Sequence, residues 1–142
     1  MVGFGKAAEL CLPHLGVEAM NAMCSLRDRL EGRILNELDG VEINGDSEAR
    51  LPNTVNLSFD GVDGEGLVLS LDMNDIAIST GSACSSGSLD PSHVLVGLGK
   101  DPRWLEAAIR FSLGRSNDAQ QIEQAAEVVI SEVRRLRSAL AR

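Results

Sequence analysis

The stretch that decides the fold reads Ile76-Ala77-Ile78-Ser79-Thr80-Gly81-Ser82-Ala83-Cys84-Ser85-Ser86-Gly87-Ser88. Its first three residues are apolar and predict a brief strand, and the rest predicts a loop because it consists almost wholly of small residues. Such a loop buries little apolar area, while ordering it costs about 1–2 kcal/mol of backbone entropy per residue. A cysteine at its centre is therefore a poor candidate for a core position. Composition alone leaves a reactive thiol and an inert one at Cys84 equally open.

Helices and strands alternate on both sides of this loop. Apolar residues recur every three or four positions over residues 1–12, 16–38, 67–73 and 93–98, and in a last helix that Asn117 or Asp118 caps. Short apolar or alternating runs predict strands at residues 41–43, 54–59, 76–78 and 107–113. We predict one domain, residues 1–142, of the α/β class in its α+β form, with helices packed against a small sheet of three to four strands.

The core has few large side chains, because the sequence contains three phenylalanines, one tryptophan and no tyrosine. We expect these four aromatic residues to be isolated large fillers of the core: Phe4, Phe59, Trp104 and Phe111. Cys11 and Cys24 lie on predicted helices among apolar residues. A free cysteine in that setting usually behaves as a small apolar side chain, so we assign both a structural role.

Charge and cysteine content exclude several classes of protein. The net charge of −8 argues against general nucleic-acid binding, which needs clustered Lys and Arg side chains. The basic cluster of Arg134, Arg135, Arg137 and Arg142 is interpreted as a solvated face near the end of the last helix. Three cysteines without ligand spacing predict neither a disulfide framework nor a metal site. Because no signal pattern and no apolar run of about 18 residues is present, we expect no membrane span and a cytoplasmic setting.

The cysteine loop and its flanks resemble a known family. Residues 79–95 are closely similar to the active-cysteine segment of the NifS/IscS-type cysteine desulfurases, which belong to the class V aminotransferases. Residues 50–56 and 67–78 resemble the strand and helix before that segment, and residues 108–115 resemble the strand after it. Residues 2–7 resemble the helix that opens the family's C-terminal part. The resemblance implies the C-terminal small domain of a fold-type I pyridoxal-phosphate enzyme.

The resemblance also implies an activity and a site. The complete enzymes convert L-cysteine to L-alanine and a protein-bound persulfide with pyridoxal phosphate. Cys84 matches the nucleophile that takes the sulfur, and Arg110 matches the arginine that holds the substrate carboxylate, a role suited to a planar guanidinium. The long loop suggests members that pass sulfur to an iron–sulfur scaffold protein. His93 is interpreted as the start of a short helix, because the family's stacking histidine lies in the other domain, and Arg115 is interpreted as structural.

The family's cofactor lysine has no counterpart in this sequence. Its two lysines, Lys6 and Lys100, belong to a predicted helix and a predicted turn. We therefore expect the large cofactor-binding domain to be missing, and the chain alone to be inactive and without pyridoxal phosphate at its proper site.

Three alternatives stay open for such a chain. It is part of a desulfurase, a stand-alone persulfide carrier, or a partner-docking module without desulfurase activity. Retention of both Cys84 and Arg110 favours the first. In each case, we predict that the helix at residues 17–38 and the flanks of the cysteine loop leave an apolar patch open.

Overall fold

The computed structural model describes residues 2–80 and 92–140. Helices α1 to α6 span Val2–Cys11, Val17–Glu37, Gly64–Asp72, His93–Gly97, Pro102–Leu105 and Ala119–Leu140. Strands β1 to β3 span Val41–Ile43, Thr54–Phe59 and Ala108–Ser112, and a 3-10 turn covers Leu12–His14. The three strands form one antiparallel sheet in the order β1–β2–β3. The predicted mixed α/β fold with a small sheet is therefore confirmed.

The expected strand at residues 76–78 is wrong. The chain leaves α3 through Asp75, whose backbone is left-handed with a φ of 61°, and the Ile76 N–H donates to the Leu71 carbonyl at 3.0 Å. That hydrogen bond closes the end of α3 instead of joining the sheet. The chain reaches β3 at Ser79, in an isolated bridge to Arg110.

One face of the sheet carries the core. Val55, Leu57 and Phe59 of β2 point to this face and are almost fully buried, and Ile109 and Phe111 of β3 lie beside them. Apolar residues from α2, α3 and α6 cover it: Leu30, Ile34, Leu67, Leu71, Ile122, Ala126, Val129, Ile130 and Val133. Burying each large apolar side chain contributes about 1.5–3 kcal/mol. The sheet is thus held by its helices on one side, which leaves its second face for other contacts.

Helix α1 has no buried residue among its described positions. Phe4 is 84% exposed, so its expected place in the core is wrong. Cys11 is also exposed and so does not pack in the core as a small apolar side chain, whereas Cys24 on α2 is half-buried. The physical reason is that α1 packs mainly on the turn that follows it. The predicted open apolar surface is confirmed at the start of α2, where Val17 is 75% exposed. A cavity of about 770 Å³ lies between α1, α2 and the segments before β2 and after β3.

Helix α6 begins with a capping box at Asp118. The Asp118 carboxylate accepts from the Gln121 N–H at 2.9 Å, and the Gln121 side chain accepts from the Asp118 N–H at 3.2 Å. Asn117, the other candidate cap, accepts instead from the Gly114 N–H at 2.7 Å. Both residues therefore fix the connection that leads from β3 into α6.

The basic cluster at the end of α6 does more than face solvent. The Arg137 guanidinium donates to three backbone carbonyls, those of Asp60 at 2.9 Å, Asp39 at 2.7 Å and Gly40 at 3.0 Å. It thereby ties the end of α6 to the turn that enters β1 and to the end of β2. The interpretation of Arg137 as a solvated residue is wrong, because these carbonyls lie within reach of its planar donors.

We expect Arg137→Met to lower the free energy of unfolding by about 1–3 kcal/mol, because three carbonyls lose a charged donor. Chemical denaturation measures this loss. Arg29→Met is the matched control, since Arg29 is a half-exposed partner of Glu123 and such surface ion pairs contribute about 0–1 kcal/mol. Equal losses in the two variants would contradict the tying role of Arg137.

Candidate functional site

Four polar residues lie in one row across the sheet and its edge: Asn44, Asn56, Arg110 and Ser79. We call them the polar row. The Asn44 N–H donates to the Asn56 carbonyl at 2.9 Å, Asn56 pairs with Arg110 in the β2–β3 ladder, and Arg110 exchanges backbone hydrogen bonds of 2.7 and 3.3 Å with Ser79. Residues directly opposite in antiparallel strands point to the same face. The row therefore lies on the face of the sheet opposite the core.

This second face is closed at one end and open at the other. Ser58 is fully buried and donates its hydroxyl proton to the Trp104 carbonyl at 2.6 Å, so α5 covers this end. Ala108, the partner of Ser58 in the ladder, is also buried. One pair further along, Asn56 is half-buried and Arg110 is exposed. The polar row thus lies where the face opens to solvent.

Arg110 has the properties that carboxylate binding requires. Its side chain is exposed on a strand, and within residues 2–80 and 92–140 it donates to no carboxylate or carbonyl. Arg50 differs, because it forms a bidentate pair with Glu31. The alternative for Arg110, an ion pair with an acidic neighbour, is therefore absent from the described part of the chain. A guanidinium with all its donors available can bind a carboxylate through two parallel hydrogen bonds.

Cys84 lies outside the described residues, so its role stays a prediction. The described residues end at Thr80, directly after Ser79, and resume at Ser92. His93 is the exposed first residue of α4, in agreement with its interpretation as the start of a short helix. The structure therefore brings the residue that leads into the cysteine segment against Arg110.

The two lysines do not fit the covalent anchoring of pyridoxal phosphate. Lys6 is exposed on α1 and pairs with Glu9 at 3.0 Å. The Lys100 ammonium donates to the Glu42 carboxylate at 2.7 Å and to the Ile43 carbonyl at 3.2 Å. A Schiff-base lysine must instead present a free amine to the cofactor. Neither lysine belongs to the polar row.

The other features of residues 2–80 and 92–140 form neither a metal site nor a membrane span. No group of three or more His, Cys, Asp or Glu side chains in residues 2–80 and 92–140 could hold a metal ion. Cys11 and Cys24 are free thiols. Within the described helices, none has the length and apolar character needed to cross a membrane. The polar row is therefore the candidate functional site among the described residues.

Comparison with known proteins assigns the family. The sequence pattern of the family described as "Aminotransferase class-V" matches residues 1–125. The chain belongs to this family. Its class-V relatives include the cysteine desulfurase of Nostoc sp., which is 47% identical over 97% of this chain, and cysteine desulfurase IscS 1 of Archaeoglobus fulgidus, which is 44% identical over 97%. The expected resemblance to the cysteine desulfurases is confirmed.

Solved structures agree with the class-V assignment. A NifS-like protein superposes on 95% of this chain with a TM-score of 0.80 and 30% identity, and a NifS-like protein from Rickettsia africae covers 92% with a TM-score of 0.75 and 28% identity. The chain spans about a third of the length of these proteins and of the curated relatives, namely 33% of both structures and 34% of the Nostoc desulfurase. For this chain, the activity of the longer proteins is therefore a proposal.

Sequence reasoning missed two members of the polar row. Asn44 and Asn56 are joined through their side chains, since the Asn44 amide donates to Asn56 Oδ1 at 2.7 Å and to Ser58 Oγ at 2.8 Å. A signal existed in β2, where polar residues alternate with Val55 and Leu57 and so predict a polar second face. The register that places Asn56 opposite Arg110 is not visible in the sequence.

Proposed function

We propose that this chain supplies the sulfur-accepting cysteine and the carboxylate-binding arginine of a pyridoxal-phosphate-dependent cysteine desulfurase. The substrate is L-cysteine, Arg110 binds its carboxylate, and Cys84 receives its sulfur. Over most of its length the chain is similar to enzymes with that name. A reducing, cytoplasmic setting suits a thiol with this role.

The observation that carries the proposal is the bridge between Ser79 and Arg110. It ties the segment that leads to Cys84 to the arginine that would hold the substrate. Cys84 follows Ser79 by five residues, and an extended chain spans at most about 3.6 Å per residue. The Cα atom of Cys84 therefore cannot lie further than about 18 Å from that of Ser79 in any conformation. This short sequence separation is compatible with the proposed transfer of sulfur from a substrate bound at Arg110.

The proposed reaction balances without an external oxidant. L-Cysteine and the Cys84 thiol give L-alanine and the Cys84 persulfide: an S–S bond forms, the carbon–sulfur bond of the substrate breaks, and the carbon gains a proton. Pyridoxal phosphate supplies the electron withdrawal that makes this carbon–sulfur bond labile. Lys6 and Lys100 do not fit its anchoring, so we assign that chemistry to the part of the relatives that this chain does not span. Arg110 orients the substrate, and the thiolate of Cys84 accepts the sulfur.

The persulfide implies a second partner. Sulfur held on Cys84 must pass to another thiol or to a cluster under assembly, so we propose a sulfur-acceptor protein such as an iron–sulfur scaffold. The carrier alternative shares this step and the partner-docking alternative does not, but both leave Arg110 without a substrate. The Arg110 guanidinium, which has no acidic partner among residues 2–80 and 92–140, therefore favours the desulfurase proposal over both.

The test is the transfer of sulfur to Cys84. The chain is incubated with L-cysteine and pyridoxal phosphate, with and without the separately expressed cofactor-binding part of the Nostoc desulfurase. Intact mass spectrometry then detects the addition of one sulfur atom. We expect it in the mixture that contains the cofactor-binding part, and we expect the same mixture with Cys84→Ala to show none.

Cys11→Ala is the matched control, because Cys11 is an exposed thiol and its loss should leave the added sulfur in place. Sulfur on Cys84 without the cofactor-binding part would contradict the expectation that this chain alone is inactive. No sulfur in either mixture would leave the docking alternative and refute the desulfurase proposal.

A further inference from the structure

The amide orientations in the polar row are fixed by a chain of hydrogen bonds that starts at a backbone carbonyl. The Trp104 carbonyl can only accept, so the Ser58 hydroxyl, 2.6 Å away, must donate its single proton to it. The lone pairs of Ser58 Oγ then remain to accept a hydrogen bond from a second neighbour, Asn44. Because Ser58 is fully buried, water does not offer it an alternative partner.

Asn44 is the neighbour that meets these lone pairs. Its Nδ2 donates to Ser58 Oγ at 2.8 Å and to Asn56 Oδ1 at 2.7 Å. Its Oδ1 is buried and accepts no hydrogen bond from the described residues. Rotating the amide would place that oxygen against the lone pairs of Ser58, which is a worse arrangement. The amino side of Asn44 therefore stays turned toward Asn56.

Asn56 must in turn present its oxygen to Asn44. Its own Nδ2 then points away from Asn44, and among residues 2–80 and 92–140 it finds no acceptor. Asn56 pairs directly with Arg110 on the same face of the sheet. Side chains paired in this way have Cβ atoms about 4.5–5.5 Å apart. An oriented neutral donor thus lies beside the Arg110 guanidinium, which has no acidic partner in the described part of the chain.

We propose that Asn56 is a second substrate-binding residue, whose Nδ2 donates a hydrogen bond to the carboxylate that Arg110 binds. This inference rests on the proposed function. It adds Asn56 to the proposed site and gives the buried hydrogen bonds behind Asn56 a role in substrate binding. Trp104, Ser58 and Asn44 are positioning residues, because they hold the Asn56 amide with its donor outward. A donor whose orientation is fixed before binding loses no rotational freedom when the carboxylate arrives.

The chemistry favours this pair of donors for a carboxylate. Arg110 supplies a positive charge and a planar set of donors. A neutral amide beside it adds a directional hydrogen bond, whereas Arg110 would repel a second positive charge at that position. A hydrogen bond to a charged group is stronger than one between neutral groups. Loss of this one bond should lower kcat/KM for L-cysteine by about 10–100-fold, mainly through KM.

The experiment uses the full chain together with the cofactor-binding part of the Nostoc desulfurase, and it measures kcat and KM for L-cysteine. We expect Asn56→Ala to raise KM by about 10–100-fold. Asn56→Asp should raise KM further, because it keeps the acceptor for Asn44 and places a negative charge beside the carboxylate. Thr54→Val is the matched control on the same face of β2 and should leave both constants unchanged.

Asn44→Asp tests the positioning chain. An aspartate at this position can no longer donate to Asn56, so the Asn56 amide turns its amino group inward and its oxygen toward Arg110. We expect KM to rise as much as in Asn56→Ala, although residue 44 does not touch the substrate. A merely structural role for Asn44 would lower the unfolding midpoint without this change in KM.

A second arm does not depend on activity. In the ¹⁵N-labelled full chain, acetate should shift the side-chain amide signals of Asn56 saturably, compared with sodium chloride at equal ionic strength, and Arg110→Gln should abolish the shift. Wild-type-like KM in Asn56→Ala and Asn56→Asp, in an active mixture, would overturn this inference and leave the proposed function standing. An inactive wild-type mixture would count against the proposed function. In that case the acetate titration alone decides whether Asn56 binds a carboxylate. The absence of a saturable shift would overturn the inference about Asn56.

Discussion

We expect Arg110→Gln to lower kcat/KM for L-cysteine by about 10²–10³-fold in the chain combined with the cofactor-binding part of a relative. Glutamine keeps a neutral donor of similar length and removes the charge and the fork that bind a carboxylate. The Arg110 side chain forms no hydrogen bond or ion pair with residues 2–80 and 92–140, so the substitution breaks no such bond within this part of the fold. The loss should therefore appear in the kinetics while the unfolding midpoint stays near that of the wild type.

Two further variants sharpen this expectation. Arg110→Lys keeps the charge and loses the planar fork, so it should recover part of the rate and leave a raised KM. Arg115→Gln is the matched control, because Arg115 is an exposed arginine of the loop after β3 and is interpreted as structural. Steady-state kinetics with L-cysteine separate the cases. A kcat/KM for Arg110→Gln within twofold of the Arg115→Gln value would remove Arg110 from the substrate site.

The sequence predicts the parts of the fold whose signals are local. The alternation in β2 gives both the buried face and its polar opposite, and the Asp118 and Gln121 pair gives the start of α6. The signal at residues 76–78 is also local, but it misleads. Three apolar residues indicate burial, which Ile76 and Ile78 achieve by packing on the core without pairing as a strand.

The site depends on information that local patterns lack. Arg110 is singled out by its resemblance to a family, since an arginine on a strand has no distinctive composition around it. Its neighbours Asn56 and Ser79 come from distant parts of the sequence and meet through the register of the sheet. Register is set by the whole buried face and by the turns, so no short motif predicts it. The exposure of Phe4 is missed for a similar reason. An apolar helical pattern shows which face of the helix is apolar, but not whether another element covers that face.

The largest effect on stability is expected at Gly64, the buried first residue of α3. A Cβ atom at this position would lie 2.5 Å from the Glu106 carbonyl oxygen and 3.2 Å from the Ala107 Cα. Both are backbone atoms, and the Ala107 carbonyl is held by the Phe59 N–H of β2 at 3.1 Å. The neighbouring chain therefore cannot move aside without breaking the entry to β3. We expect Gly64→Ala to lower the free energy of unfolding by about 2–4 kcal/mol.

Gly32→Ala separates this clash from the general effect of adding a methyl group to a helix. Gly32 lies inside α2, and a Cβ atom there meets nothing within 4 Å. Because alanine favours a helix over glycine, this variant should raise the free energy of unfolding by about 0.5–1 kcal/mol. Chemical denaturation of both variants therefore gives changes of opposite sign. A Gly64→Ala variant as stable as Gly32→Ala would mean that α3 does not approach Glu106 so closely, and the placement of β3, with Arg110 on it, would then need revision.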